Sequence, residues 1–316
     1  MGLLRAATMI CVFLLCACQP QVEAVYLQER ATLADVKAVQ KWVQVAMQPE
    51  TIVGTNAPSL IPLIEGDYRM YWTDERLRGI GSATTPDGIL FNLDEGARLT
   101  NAGAGQPDCV VSKPFVIQTA DGYRMYYQAQ ADPCNDRAPD EMPANSRIMS
   151  AFSVDGRLFE REAGIRVDVG ASSGLSAAGH GRVIQQDDGN YRMYFTARSN
   201  GETEGLFVAS ASSVDSLNWQ VDTSPILVGA HDPTAIQIED TIYLYVSYQS
   251  DNFLLLESND GIHFSPVSWL EFYDASGQRI GQFGDVDVFE TMDGKLLMYG
   301  SGQGMAGVGI FRQEAS

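Results

Sequence analysis

The sequence predicts an all-β protein, a five-bladed β-propeller of four-stranded antiparallel blades closed by its N-terminal strand. Three observations carry this expectation. A Gly-x-Tyr-Arg-Met-Tyr string recurs along the 316 residues. Each copy lies between turn residues and apolar runs of strand length. Each blade-sized unit but the last then carries a Ser/Thr-x-Asp turn that leads into an aromatic residue.

The strong copies are Gly66-Asp67-Tyr68-Arg69-Met70-Tyr71, Gly122-Tyr123-Arg124-Met125-Tyr126 and Gly189-Asn190-Tyr191-Arg192-Met193-Tyr194. Weaker ones follow at Ile242-Tyr243-Leu244-Tyr245 and Gly294-Lys295-Leu296-Leu297-Met298-Tyr299. Five copies at intervals of 52 to 68 residues define a repeat architecture. The first strand of a unit is an apolar run such as Thr234-Ala235-Ile236-Gln237-Ile238, and an acidic or Gly-bearing turn follows it. The Tyr-Arg-Met-Tyr strand comes next, its side chains alternating between two faces at period two. A third run follows, as in Leu206-Phe207-Val208-Ala209-Ser210. The closing hairpins run from Thr85-Pro86-Asp87-Gly88 to Phe91, Ser153-Val154-Asp155-Gly156 to Phe159, Ser213-Val214-Asp215 to Trp219, and Ser258-Asn259-Asp260-Gly261 to Phe264. Asp-Gly supplies the positive φ that tight hairpins need. The fifth unit has only three strands, so its outer strand has to come from elsewhere. Lys41-Trp42-Val43-Gln44-Val45 matches Asn218-Trp219-Gln220-Val221 and is assigned that place, which removes an open edge. The repeated Tyr and Met positions are read as core. The repeated Arg69, Arg124 and Arg192 are read as scaffold, because a binding site needs asymmetry.

Residues 1–17 read as a signal peptide, 18–40 as a tether and 41–316 as the propeller. Arg5 precedes an apolar core from Met9 to Leu15, which is too short to span a bilayer as a permanent helix. Leu15-Cys16-Ala17-Cys18 resembles the lipobox of bacterial lipoproteins. That resemblance implies cleavage before Cys18 and lipidation there. Gln19, in place of the Asp that marks inner-membrane retention, favours the outer membrane of a bacterial envelope. Cys109 and Cys134 are then the two cysteines left, and in an oxidising compartment a pair is expected to form a disulfide.

The net charge is −19, and loss of the leader removes only Arg5, leaving 20 basic against 40 acidic residues. This excludes nucleic acid as a partner and disfavours electrostatic docking on anionic lipid. Membrane attachment is expected through acyl chains alone. A neutral carbohydrate is compatible, and a monomer is expected.

The candidate site is the mouth of the central funnel. Counting eleven residues back from the Tyr-Arg-Met-Tyr strands gives Ala57, Ser112, His180, Asp232 and Asp285, with Lys113-Pro114 as the alternative in blade two. These positions differ from blade to blade, as ligand-funnel residues do. Asp74, Glu75, Gln130, Arg198 and Gln249 end the second strands and could reach the same mouth. Trp72 is weighed equally as a sugar-stacking platform and as packing between blades.

The Asp-Pro opening of an inner strand, the Gly-Tyr-Arg-Met-Tyr strand and the Ser-x-Asp-Gly-x-x-Phe hairpin together resemble the five-bladed glycoside hydrolases, the arabinanase, β-xylosidase and invertase relatives, over residues 40 to 312. That resemblance implies a funnel site in which one carboxylate acts as base or nucleophile and another as acid. It implies no obligatory cofactor, although some relatives hold one divalent cation on the axis; no metal ligands are assigned. The chain departs from the family pattern, since Ala57, Ser112 and His180 stand where the resemblance would place carboxylates. A rebuilt catalytic set would draw on Asp232, Asp285, Asp108 and Glu75, with His180, Arg182, Asp287, Trp72 and Arg198 contacting substrate. Two functions remain open from the sequence: glycan cleavage, and carbohydrate or protein binding without chemistry.

Overall fold

The computed structural model describes residues 33, 36–49, 56–64, 66–131, 142–200, 205–249, 252–281, 283–291, 294–302, 305 and 307–314. The expected signal peptide with Cys18, and Cys134, lie outside the described residues. The expected five blades are present. β1 (Val39–Pro49) precedes blade one, which consists of β2 (Asn56–Pro62), β3 (Tyr68–Asp74), β4 (Gly79–Thr85) and two outer pieces, β5 (Asn92–Leu93) and β6 (Leu99–Thr100). Blade two is β7 (Val110–Thr119), β8 (Gly122–Gln130), β9 (Arg147–Ser153) and β10 (Glu160–Arg161). Blade three is β11 (Leu175–Gln185), β12 (Tyr191–Ser199), β13 (Leu206–Ser213), β14 (Gln220–Val221) and β15 (Leu227–Val228). Blade four is β16 (Ala230–Ile238), β17 (Thr241–Tyr248), β18 (Asn252–Ser258), β19 (Ser265–Tyr273) and β20 (Arg279–Ile280). Blade five is β21 (Phe283–Glu290), β22 (Leu296–Gly302) and β23 (Gly307–Gln313), completed by β1.

The closing strand does more than the sequence suggests. β1 runs antiparallel to β23, pairing Trp42 with Gln313 and Met47 with Gly309. It also runs parallel to β19, pairing Val39 with Trp269 and Val43 with Tyr273. Blades four and five therefore share one continuous sheet, and the strand begins at Val39, two residues before the expected boundary.

The core is divided among the joints between blades. Five hydrophobic clusters lie one between each pair of neighbours, for example Ile61, Tyr71, Val116 and Met125 between blades one and two. Successive residues of a second strand feed opposite joints: Tyr68, Met70 and Trp72 face blade five, while Tyr71 faces blade two. This explains why the string repeats. Both faces of each blade are buried, and each must fit the same neighbour geometry.

One joint recurs atom for atom. The last Tyr of the string donates its hydroxyl to a backbone carbonyl in the next blade's hairpin: Tyr71 to Gly156 at 2.8 Å, Tyr126 to Ser216 at 2.6 Å, Tyr194 to Gly261 at 3.1 Å and Tyr299 to Gly88 at 2.9 Å. Its ring meets the hairpin aromatic edge-on, against Phe159, Trp219, Phe264 and Phe91 at 5.5 to 6.3 Å. Such pairs add about 0.5–1.5 kcal/mol beyond area burial. In the fifth joint Trp42 of β1 takes the aromatic place against Tyr245 at 6.4 Å. The hairpins that present these carbonyls are held by their own Ser/Thr and Asp: Asp155 Oδ1 accepts from Arg157 N–H at 2.8 Å, and Ser153 Oγ accepts from Gly156 N–H at 3.0 Å. The recurring arginines are scaffold, as expected. Arg69 pairs with Asp94 at 3.1 Å, Arg124 with Glu162 at 2.8 Å, and Arg192 with Asp222, and each acid also accepts from a third-strand serine.

Candidate functional site at the propeller axis

Every inner strand breaks its pairing at one common height, and β11 has a second shift between Leu175 and Ala177. The common shifts fall between Asn56 and Ser59, Ser112 and Phe115, Gly179 and Arg182, His231 and Thr234, and Gly284 and Asp287. Inside each bulge sits a non-glycine residue in the left-handed region: Ala57 at φ 51°, Lys113 at 49°, His180 at 51°, Asp232 at 49° and Asp285 at 49°. Side chains other than Gly avoid this conformation, and it costs on the order of 1–3 kcal/mol where it is imposed. Bulges of this kind re-aim a side chain. Pro58, Pro114 and Pro233 follow the bulge residue in three blades, where the ladder has no use for an N–H. The preceding blade holds two of these residues by their backbone: Lys113 N–H donates to Thr73 Oγ1 at 2.8 Å and Asp232 N–H to Thr196 Oγ1 at 2.9 Å.

The in-register residue of blade two is thus Lys113, not Ser112. The first hairpin of blade two is a two-residue turn, Ala120-Asp121, where blades one, three and five have five-residue connections, so the count from Tyr123 slips by one. Blade four has a two-residue turn too, Glu239-Asp240, and its count reaches Asp232 because it starts at Tyr243, one residue beyond the position that matches Tyr68. Ser112 remains in the regular ladder opposite Gln128.

The bulge side chains meet across the ring. Lys113 Nζ lies 3.0 Å from Asp285 Oδ1 and 3.9 Å from Asp232 Oδ1. His180 Nδ1 is hydrogen-bonded to Asp232 Oδ1, and His231 Nδ1 lies 3.0 Å from Asp232 Oδ2. Lys113 and His180 are buried, while the carboxylates of Asp232 and Asp285 keep 20% and 25% of their surface. The open face of the cluster is therefore the two carboxylates with His231, and the cation lies behind them.

The charges follow from this arrangement. Burial pushes the Lys113 ammonium toward neutrality, but Asp285 and Asp232 outweigh it and its pKa rises. Burial opposes ionisation of Asp232, yet Lys113 and His180 hold it well below the usual carboxylate range. Burial lowers His180 to about 4 against the pull of Asp232. Near neutral pH the imidazole is uncharged, and Nδ1–H donates to the carboxylate.

Two residues further along each strand lies a second layer, containing Ser59, Phe115, Arg182, Thr234 and Asp287. Arg182 and Asp287 belong here. Both are buried, with Arg182 Nε 3.7 Å from Asp287 Oδ1 and the guanidinium 5.0 Å above the Phe115 ring. Asp287 also accepts from Leu60 N–H at 2.9 Å and Thr234 Oγ1–H at 3.0 Å, tying blades one, four and five together. Arg182 and Asp287, expected to contact substrate, lie buried beneath the mouth and face each other, and Arg182 Nε and Nη1 make no hydrogen bond among the described residues.

The remaining candidates lie apart from the cluster. Trp72 is fully buried in the joint between blades five and one, so packing is its role and stacking on a sugar is ruled out. Asp108 is buried, accepting from Tyr127 Oη at 3.0 Å and Arg161 Nε at 2.5 Å, a contact that ties it to the outer strand of its own blade. Glu75 is exposed in the turn after β3, with none of the contacts of the axial cluster. Arg198 is half-buried at the end of β12. Of the four proposed acids, Asp232 and Asp285 alone are brought together. Sequence reasoning missed Lys113 as their partner; its signal was the proline after it.

His180, Asp232 and Asp285 each offer one ligand atom, all within 4.8 Å of one another. The donor types suit a divalent ion. The ammonium of Lys113 already joins the two carboxylates, however, and a buried like charge in contact with the same oxygens does not fit a resident metal.

Among solved structures, those similar to this chain share one architecture. A thermostable family-43 glycoside hydrolase superposes with a TM-score of 0.64 at 15% identity, covering 83% of this chain and 93% of its own. A family 117 glycoside hydrolase from the marine bacterium Zobellia galactanivorans gives 0.63 at 15% identity, covering 88% and 92%. An endo-arabinase from Bacteroides thetaiotaomicron gives 0.63 at 11% identity, covering 86% and 98%. The protein therefore has the five-bladed propeller fold of these glycoside hydrolases. No protein-family model matches the sequence, and no curated protein does.

Proposed function

We propose that this protein acts on a carbohydrate at the axial mouth, as a glycosidase-like lipoprotein. The observation that carries the reading is the pair Asp232 and Asp285, half-buried side by side at the axis of a glycoside hydrolase fold. One oxygen of each lies within 4.8 Å of the other, close enough for the two carboxylates to act on the same sugar. Asp232, held ionised, suits the role of nucleophile or base.

A second reading, glycan binding without turnover, is favoured by one observation. Lys113 pairs with both carboxylates, so neither is arranged as a proton donor. The two readings separate on Asp232→Asn and Asp285→Asn assayed on a glycan panel for both binding and release. Hydrolysis predicts a loss of turnover by orders of magnitude with binding largely kept. Binding alone predicts an affinity loss of about 1–3 kcal/mol and no release by the natural chain. If a recognised glycan is bound and released unchanged by both variants, the axial site is the wrong one.

Attachment to the outer membrane through lipid on Cys18, as a monomer, completes the proposal. Support comes from the Leu15-Cys16-Ala17-Cys18 string after an apolar core. Mass spectrometry of the membrane fraction is expected to find an acylated N-terminal Cys18; an unmodified N-terminus on protein from the soluble fraction contradicts it.

A further inference from the structure

We infer that the Lys113 ammonium is the resident cation of a three-ligand centre, and that removing it turns His180, Asp232 and Asp285 into a divalent-cation site. The ligand atoms of these three residues are mutually within 4.8 Å. Metal–ligand bonds of about 2.0–2.6 Å let one ion touch three atoms so spaced. Nζ of Lys113 does the same joining work, 3.0 Å from Asp285 Oδ1 and 3.9 Å from Asp232 Oδ1.

The lysine is held in that place. Its residue is only 6% exposed, its backbone N–H is fixed by Thr73 from the neighbouring blade, and Pro114 follows it inside the bulge. The ammonium therefore has no route to solvent when a second cation approaches. In a buried setting the repulsion is little screened. A separate observation points the same way. His180 is 1% exposed, and its Nε2 has no hydrogen-bond partner among the described residues. Taking the lysine away leaves two carboxylates and this imidazole with ligand atoms within reach of one ion.

The inference is independent of any glycan, and it is tested without one. The natural chain, Lys113→Ala and Lys113→Met are titrated with Mn²⁺, Ca²⁺ and Zn²⁺, following heat of binding and melting temperature. Lys113→Ala opens space for an ion; Lys113→Met keeps the aliphatic stem and removes only the charge. The natural chain is expected to bind none of the ions at one-to-one stoichiometry. Lys113→Ala is expected to bind one ion and to melt higher with it, and Asp285→Asn in that background to abolish the shift. A variant that folds only when the ion is supplied supports the inference equally. One-to-one binding by the natural chain with the affinity of Lys113→Ala overturns it. So does failure of both lysine variants to bind an ion, or to fold at any ion concentration, because the ion should replace the lost charge.

Discussion

Tyr71→Phe removes a single hydroxyl from a joint that the ring makes four times with a hydrogen bond and once without. Tyr71 donates to the Gly156 carbonyl at 2.8 Å in a fully buried contact. Phe keeps the ring, and with it the edge-on packing against Phe159 at 5.8 Å. The loss is therefore the hydrogen bond alone, about 1 kcal/mol net, rising to about 3 kcal/mol if the stranded carbonyl finds no new partner. At roughly 2–4 °C per kcal/mol for a domain of this size class, the melting temperature should fall by about 2–12 °C. The fifth joint supplies the control. Tyr245 packs on Trp42, and its hydroxyl makes no hydrogen bond among the described residues. Tyr245→Phe should stay within about 0.5 kcal/mol of the natural chain. Urea and thermal unfolding of both variants check this. Equal losses at the two sites, or none at Tyr71, would refute the reasoning. A pH arm adds a sign. Burial raises the pKa of the Tyr71 hydroxyl above its ordinary 10.0, so the folded chain keeps the proton that the unfolded chain releases. Its contribution is whole below pH 10 and is lost as pH rises beyond it, and Tyr71→Phe should make the alkaline decline shallower.

Three further outcomes are expected. On the acid side, His180 is lowered from 6.5 to about 4, so the unfolded chain binds the extra proton first. Stability should fall as pH drops from about 6.5 toward 4, and His180→Gln should flatten that limb in acid-unfolding curves. Asp232, depressed below its ordinary 3.8, adds a loss below that value, and Asp232→Asn should remove it. Deleting residues up to 46 takes away most of β1 with Trp42 and uncovers the edges of β23 and β19; light scattering should report aggregation, and a monomer with unchanged melting temperature would count against the closure. A Cys109–Cys134 disulfide would close a ring of about 26 residues, worth roughly 3–4 kcal/mol in the loop-entropy account. Non-reducing peptide mapping should recover the linked peptides, and two free thiols in exported protein would end the idea.

How far the sequence could be read depends on what repeats. Tyr71, Tyr126, Tyr194 and Tyr299 serve the same joint, so their selection leaves the same letters in each unit, and the blade number follows. The axial residues are legible in position but not in partnership. Their register can be counted, and the count fails by one at Lys113 because hairpin length varies between blades. Which residue faces which across the ring has no local signal: Lys113 and Asp285 are 172 residues apart. Trp72 and Asp108 misled for a related reason. A Trp at a strand end looks the same whether its outer face meets water or a neighbouring blade. An Asp beside an inner strand likewise gives no sign that Arg161, on the outer strand, has claimed it.

The double pairing of β1 also sets an order of events in time. The strand is made among the first residues of the chain, yet its partners are Trp269 to Tyr273 and Gly307 to Gln313, more than 220 residues later. Until those emerge, its backbone has nothing to pair with, while blades one to three can each form from their own contiguous segments. Contacts of such long sequence separation form slowly, and unpaired strands are the hazard of that interval. The ring therefore closes late, and on both sides of the same strand. A chain held from its N-terminus would keep the waiting strand near its anchor, apart from other copies, until the C-terminal strands arrive.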